Sequence, residues 1–553
     1  MLGHEQPMGI PVLDVRGLTV QLPTGGDRRY AIENVSFAIH PGEIVCMVGE
    51  SGSGKSVTAH AIMGLLAPDL GATSGTARLE GTDLPIESSP KMRPLRGRRM
   101  AMVFQEPTAA LNPVMRVGEQ IAEVLKIHTG LDAPERRRRV LDIMTAVRIP
   151  EPEQMIDAYP HQLSGGQRQR VMIAAALVLD PALLIADEPT TALDVTTQAR
   201  ILKLIAELQQ RRQTGVLFIT HDFGVVAEIG HRVIVLQHGR VVEQGPAVEV
   251  LRNPRDPYTR MLVDAVPSLT PPDRPAAAAN PVVLETRGLG KTYRIGGFLS
   301  ARRDVEAASD VELTVRRGEI LGLVGESGSG KSTIARCIAR LIAPSTGKIL
   351  IDGTDIGLMG TRALRPHRKR VQIVFQDPYR SLNPRRTVGA AIVEGPINFG
   401  AAPPSAWEKA RQLMELVSLD PDVLSRFPHQ FSGGQRQRIC IARALAMDPE
   451  ILLADEAVSA LDVSVQAQVL HLIDEVRQRF DLAVLFITHD LRVAAQICDR
   501  IAVMHRGRVV EQGPTSEVYS TPQHTYTRAL LEAAPGRHFN FRPNLDPIEP
   551  VRP

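Results

Sequence analysis

The sequence predicts a mixed α/β protein made of two copies of one domain, and three observations predict it. The glycine-rich octapeptide GESGSGKS occurs at Gly49–Ser56 and again at Gly325–Ser332, which makes Lys55 and Lys331 the same position of two copies. LSGGQRQR (Leu163–Arg170), LLIADE (Leu183–Glu188) and VLFITHD (Val216–Asp222) recur as FSGGQRQR (Phe431–Arg438), ILLADE (Ile451–Glu456) and VLFITHD (Val484–Asp490), all at one common offset. Within each copy, short apolar runs end in polar residues, the pattern of parallel strands buried on both faces.

Taken in chain order, EIVCMVG, PALLIADE and GVLFITHD of the first copy read as such strands. After the glycine loop, KSVTAHAIMGLLA reads as a helix, with Val57, Ala61, Ile62, Leu65 and Leu66 at helical spacing and Pro68 closing it. The two copies also end alike, NPRDPYTRMLVDAVP (Asn253–Pro267) matching TPQHTYTRALLEAAP (Thr521–Pro535). Between them SLTPPDRPAAAANP is rich in proline and alanine, the composition of an extended, exposed tether. The predicted boundaries are residues 10–267 for the first domain, 268–281 for the linker, 282–536 for the second domain and 537–553 for an irregular tail.

A chain of 553 residues is too long for one core, which agrees with the duplication. A net charge of +3 gives no strong electrostatic case for nucleic acid or membrane. The run ERRRR at Glu135–Arg139 reads as the solvated face of a helix. Cys46, Cys337, Cys440 and Cys498 are scattered, without a C-x-x-C pair or histidines at metal-ligand spacing, and read as small core residues in a reducing compartment. The longest apolar stretch, Val171–Ala186, is broken by Asp180 and Pro181 and is too short to span a bilayer. The N-terminus lacks a basic region followed by an apolar core, so no signal peptide is expected. Any action at a membrane then requires other subunits to cross it.

Each motif implies chemistry by its residue types. GESGSGKS fits G-x-x-x-x-G-K-[ST], in which glycines let backbone N–H groups wrap phosphates and the following helix start favours anionic charge. Lys55 and Lys331 are placed to reach the β- and γ-phosphates, and Ser56 and Ser332 to ligate Mg²⁺. One such match arises by chance in long chains, but two in the same context do not. Asp187 and Asp455, ending apolar strands, are candidate Mg²⁺ supports, and Glu188 and Glu456 beside them are candidate bases for an attacking water. His221 and His489 follow Asp187 and Asp455 at the same interval in both copies, an identical placement that argues for a γ-phosphate sensor. Gln105 in VFQEP and Gln376 in VFQDP end short apolar runs; alone, each reads as a polar turn residue. SGGQ at Ser164, Gly165, Gly166 and Gln167, and at Ser432, Gly433, Gly434 and Gln435, is a glycine turn entering a helix, able to hold an anion.

Together these residues resemble the ATP-binding cassette (ABC) superfamily, over nearly the whole chain except linker and tail. The conjunction of two glycine loops, strand carboxylates, SGGQ signatures, glutamine loops and switch histidines carries the resemblance. It implies, in each copy, a P-loop NTPase domain with a RecA-like core, a small antiparallel β subdomain and a helical subdomain at roughly Leu111–Leu163 and Leu382–Phe431. It also implies two composite ATP sites, each pairing one copy's glycine loop with the other copy's signature. Site one would combine Gly49, Glu50, Ser51, Gly52, Ser53, Gly54, Lys55, Ser56, Val57, Gln105, Asp187, Glu188 and His221 with Ser432–Gln435. Site two would combine Gly325, Glu326, Ser327, Gly328, Ser329, Gly330, Lys331, Ser332, Thr333, Gln376, Asp455, Glu456 and His489 with Ser164–Gln167. Mg²⁺ would be held by Ser56, Gln105 and Asp187, and by Ser332, Gln376 and Asp455. Asp194 and Asp462, ending TTALD and VSALD, would cross between copies. Tyr30, upstream of Lys55, is the candidate adenine-stacking residue, whereas Tyr293 lies farther upstream of Lys331 than Tyr30 does of Lys55. DEAVS at Asp455–Ser459 replaces the first copy's DEPTT, a change expected to alter the turn's rigidity and not its chemistry.

FQEPTAALNP, FQDPYRSLNP, YPHQLSGGQRQR, FPHQFSGGQRQR and DPYTRMLV are similar to the ATPases of peptide and nickel importers, the first copy to the D-type subunit and the second to the F-type. The resemblance implies a fusion that drives uptake through two separate membrane-spanning permeases fed by an extracytoplasmic solute-binding protein. The chain would then sit at the cytoplasmic face of the plasma membrane. Dipeptides, oligopeptides, glutathione and nickel chelates remain open as cargo. Some relatives hold an iron–sulfur cluster in the C-terminal extension; no cysteine lies there, so none is expected. The reading of another class, a twin-cassette translation factor or DNA-repair ATPase, is disfavoured by the short Pro/Ala tether and the lack of zinc-binding cysteine clusters.

Overall fold

The computed structural model describes residues 9–23, 28–190, 193–274, 279–295, 303–459 and 461–541. The chain divides into two compact units. The first runs through Leu193 and from Thr197 to Val266, and takes in the chain again from Pro535; the second holds Asp194–Thr196 and Pro267–Ala534.

In the first unit the apolar runs form a six-stranded sheet in the order Arg240–Pro246, Arg232–Gln237, Ile44–Val48, Gly215–Ile219, Leu183–Asp187, Met100–Val103. All neighbours are parallel except the Arg240–Pro246 edge. The three central strands are buried along their full length, which explains why they read as unbroken apolar runs. Tyr30–Ile39, Leu13–Gln21, Gly71–Leu79 and Thr82–Asp83 make a separate four-stranded sheet, antiparallel throughout. Helices Val117–His128 and Ala133–Ala146 precede the signature helix Gly165–Leu177. Asp132 caps the second of these by accepting the Glu135 N–H, and the arginines that follow stay largely exposed, as the solvated-face reading requires.

The second unit repeats this plan. Its six strands run Val371–Val374, Ile451–Asp455, Ala483–Thr488, Ile320–Val324, Arg500–His505, Arg508–Pro514, beside a four-stranded antiparallel sheet led by Arg303–Arg316 and Val282–Ile295. Helices Val388–Asn398 and Pro403–Leu416 lead to the signature helix Gly433–Leu445. Phe218 and Phe486, at equivalent places on the central strands, are fully buried. All four cysteines are buried free thiols, and burial pushes Cys46 up to about 12.

Two expectations need correction. The helix after the first glycine loop ends at Met63, not at Pro68, because Gly64 turns left-handed (φ 61°) and returns its N–H to Ala61. Leu65 and Leu66 continue the apolar spacing but lie beyond that cap. Of the residues expected to form an exposed linker, 268–274 are described without helix or strand, yet they do not run free of the second unit. Arg274 reaches Asp474 and Asp499 at 3.4 and 3.5 Å and donates to the Gln496 carbonyl. Pro535 and Gly536, together with the tail from residue 537 as far as Phe541, belong to the first unit, where Arg252 lies over the Phe539 ring; residues 542–553 lie outside the described residues. No helix among the described residues is long and apolar enough to cross a membrane.

Candidate functional site

Each glycine loop joins the central strand of its sheet to a helix that starts at the loop's lysine. Gly54 has φ 108°, and a Cβ there would stand 2.6 Å from Ile32 Cγ2 and 2.9 Å from the Ala31 carbonyl. The loop therefore folds tightly against the antiparallel sheet only with glycine at this position. Gly330 repeats this with φ 106° against Ala307. Inside the turn the Ser53 and Ser329 hydroxyls are buried without a hydrogen-bond partner, polar groups suited to a phosphate oxygen.

Lys55 and Lys331 are 6% and 4% exposed. Lys55 donates to the carbonyls of Gly49 (2.7 Å) and Glu50 (2.9 Å), and Lys331 to those of Gly325 and Glu326 (2.7 Å each). Burial draws Lys331 below its ordinary proton affinity, against the opposing influence of Glu456 and Asp455. Ser56 Oγ donates to Asp187 (3.1 Å) and Ser332 Oγ to Asp455 (2.9 Å). Burial pushes both aspartates up in pKa despite those hydrogen bonds, an environment that a bound cation would relieve. A serine hydroxyl beside a carboxylate is a hard-oxygen pair of the kind that would hold part of a Mg²⁺ shell. Among the described residues no group of three or more His, Cys, Asp or Glu side chains could hold a metal ion by itself.

Glu188 and Glu456 follow the strand aspartates and adopt left-handed backbone angles, φ 45° and 49°, uncommon for a residue with a side chain. Their N–H groups donate back to Ile219 and Ile487 on the neighbouring strand, which fixes the turn. Each carboxylate is then gripped at both oxygens. Gln105 Nε2 donates to Glu188 Oε2 at 2.9 Å, and His221 Nδ1 stands 3.3 Å from Oε1. Gln376 and His489 hold Glu456 in the same way at 2.7 and 3.3 Å. The chain is anchored just after each histidine: Asp222 caps the next helix by accepting the N–H groups of Gly224 and Val225, and Asp490 does so with those of Arg492 and Val493. Burial would raise Glu456, but the His489 contact and Lys331 outweigh it and hold the carboxyl below its ordinary value. His489 is conversely raised, the pull of Glu456 and Asp490 exceeding the effect of burial. A carboxylate fixed in this way can accept a proton from a water lying against a phosphate.

The structure thus gathers Lys55, Ser56, Gln105, Asp187, Glu188 and His221 in one unit, and Lys331, Ser332, Gln376, Asp455, Glu456 and His489 in the other. Gln105 and Gln376 are found on the glutamates and not on the serine–aspartate pairs. Ser164 and Ser432 cap their signature helices, each accepting the N–H of Gln167 or Gln435 while that glutamine accepts the serine N–H. The DEAVS departure leaves Glu456 with both partners, and Ser459 adds a second acceptor for Gln376 at 3.3 Å.

Tyr30 begins the strand whose next residue, Ala31, backs Gly54. In the second unit Ala307 backs Gly330, so the counterpart of Tyr30 is Glu306; Tyr293 sits on the adjoining strand opposite Val305. Sequence reasoning missed Tyr258 and Tyr526. Their phenol oxygens accept the N–H of Glu50 and of Glu326, each at 3.1 Å. The duplicated chain ends around PYTR and TYTR were the available signal.

The family model described as ABC transporter matches residues 32–191 and 308–459. That described as the C-terminal region of oligopeptide/dipeptide transporters matches residues 242–294 and 510–550. The peptidoglycan transport ATP-binding protein YejF of Agrobacterium fabrum is 46% identical over 95% of this chain and 96% of its own. The glutathione import ATP-binding protein GsiA of Salmonella typhimurium is 45% identical over 95% of this chain and 89% of its own. The dimeric ATP-binding cassette MJ0796 bound to ADP and Pi is 30% identical over 42% of this chain and 98% of that one, with a TM-score of 0.39. The chain belongs to the ABC transporter family. Within it, this is an importer-type ATPase with two cassettes, each followed by the oligopeptide/dipeptide transporter region.

Proposed function

We propose that the chain powers uptake of short peptides, glutathione among them, by binding and hydrolysing ATP in both units. The observation that carries the hydrolytic part is the duplicated grip of a glutamine and a histidine on one carboxylate, Gln105 and His221 on Glu188, Gln376 and His489 on Glu456. Glu188 and Glu456 take the proton of the attacking water; His221 and His489 sense the γ-phosphate. Lys55 and Lys331 turn from their own loop carbonyls to the β- and γ-phosphates. Ser56 with Asp187 and Ser332 with Asp455 would hold Mg²⁺, which would supply neutralisation of the phosphate charge. In this reading the signature of the opposite copy completes each site, as the family resemblance implies, and Tyr30 stacks on adenine in the first. The functional cassettes are residues 10–267 and 282–536.

The partners are two permeases and a solute-binding protein, with the chain held peripherally at the cytoplasmic face of the membrane. A cavity of about 580 Å³ in the second unit supports a permease contact. It is lined by Ile373, Phe375, Ile392, Gly395, Arg443 and Met447 among others, and Phe375 immediately precedes Gln376. A permease segment seated there would touch the neighbour of the residue that holds Glu456. Glutathione is favoured over nickel chelates by the relative named for glutathione import, and peptides by the duplicated oligopeptide/dipeptide region.

The test is uptake of labelled glutathione, dipeptides and oligopeptides by cells lacking the chain, rescued with wild type or with Lys55→Ala/Lys331→Ala. Rescue by wild type alone is expected for at least one of these cargoes. Equal rescue by both would contradict ATP-driven uptake, and no dependence for any would remove peptides from the reading.

A further inference from the structure

We propose that Tyr258 and Tyr526, on the helices Pro257–Asp264 and Thr525–Glu532, are positioning residues for the phosphate loops. Each holds the peptide at the loop's second residue while the loop lysine exchanges its own carbonyls for phosphate. The inference rests on the reading of these loops as ATP cradles.

The Glu50 peptide unit is engaged on both sides. Lys55 binds its carbonyl at 2.9 Å, and Tyr258 Oη accepts its N–H at 3.1 Å. Tyr258 Oη is also 3.4 Å from Glu50 Oε2, so the phenol accepts from the backbone and donates to the side chain of one residue. Glu326 is held in the same manner by Lys331 at 2.7 Å and Tyr526 at 3.1 Å. When the lysine turns to phosphate it gives up the carbonyl. The tyrosine contact does not depend on the lysine and can persist, keeping a partly buried N–H paired and the loop in its bent form.

Both tyrosines are seated by elements that differ in sequence but act alike. Asp256 caps the first helix by accepting the Tyr258 N–H at 2.8 Å, and the Glu243 carboxylate accepts the N–H groups of Arg255 and Asp256. In the second unit His524 Nδ1 accepts the Tyr526 N–H at 3.1 Å, and Glu511 accepts those of Gln523 and His524. The His505 ring covers Tyr526 with centroids 3.9 Å apart. Burial pushes the Tyr526 phenol up to about 12, so its proton is retained at physiological pH. Tyr258 and Tyr526 both lie in the stretches matched to the oligopeptide/dipeptide C-terminal region. The proposal gives that region a part in nucleotide binding.

The experiment compares the full-length chain with Tyr258→Phe/Tyr526→Phe, which keeps both rings and removes only the oxygens. The readouts are KM and kcat for ATP hydrolysis and the thermal midpoint, with Lys55→Ala/Lys331→Ala as control. Loss of one acceptor predicts KM raised about fivefold, with kcat within about twofold and the midpoint nearly unchanged. An unchanged KM would overturn the proposal, leaving the rings as packing groups only, as would equal falls in kcat and kcat/KM. If the double variant does not fold, each single substitution gives the same readout at one site. Full activity in the lysine control would instead overturn the underlying assignment of the loops.

Discussion

His489 stands with its Nδ1 3.3 Å from Oε1 of Glu456, and each group favours the charged form of the other. Both side chains are less than a third exposed, so solvent screens the pair only in part. It links the end of one parallel strand to the loop after the next. This contact ties the carboxylate assigned to water activation to the rest of the second unit.

Its pH dependence follows from the directions of the two shifts. The raised histidine contributes stability that is complete below about pH 6.5 and fades as pH climbs through its folded value. The lowered glutamate contributes stability that is complete above about pH 4.3 and is lost as pH falls through its folded value. The destabilisation caused by His489→Ala should therefore be greatest near about pH 6, on the order of 1 kcal/mol, and shrink toward about pH 9. Thermal unfolding of wild type and variant across that range checks this. An equal deficit at both ends would show that the contact is not an ion pair.

Gly54→Ala and Gly330→Ala should each destabilise their unit by about 1–3 kcal/mol and weaken ATP binding. Each places a Cβ at a left-handed φ against the backbone of the strand that backs the loop. Denaturant titration and nucleotide titration of the two variants measure these effects. A Gly54→Ala chain with wild-type stability would mean that the loop can relax away from Ala31 and Ile32.

The proposed pairing of each loop with the opposite signature is tested by combining substitutions. In a Lys55→Ala background, Ser432→Arg strikes the same site again, whereas Ser164→Arg strikes the other one. ATPase activity should stay within about twofold of the single variant in the first case and fall at least about tenfold further in the second. The reverse ranking would place each signature with the loop of its own copy.

What could be read from the sequence was what the chain encodes locally. Ile44–Val48, Leu183–Asp187 and Gly215–Ile219 are buried on both faces, and burial of that kind leaves an unbroken apolar run. The glycine loop is likewise a contiguous pattern. The end of the helix at Gly64 was hidden because Leu65 and Leu66 prolong the apolar spacing, while the stop is a backbone event. The grip of Gln105 on Glu188 and that of Tyr258 on Glu50 join residues far apart in the chain, so neither has a local signature. Glu306 matches Tyr30 at the same offset that relates the two loop lysines, but a search for an aromatic passes over a glutamate.

The central claim is that Glu188 and Glu456 activate water for hydrolysis in both units. The most direct measurement is Mg²⁺-dependent ATP turnover and ATP retention by wild type, Glu188→Gln, Glu456→Gln and the double variant. Glutamine preserves size and keeps one of the two acceptor oxygens but cannot take the proton, so the double variant should retain ATP while turnover falls by at least about 100-fold. Turnover near wild type in the double variant, or loss of ATP binding along with turnover, would contradict the claim.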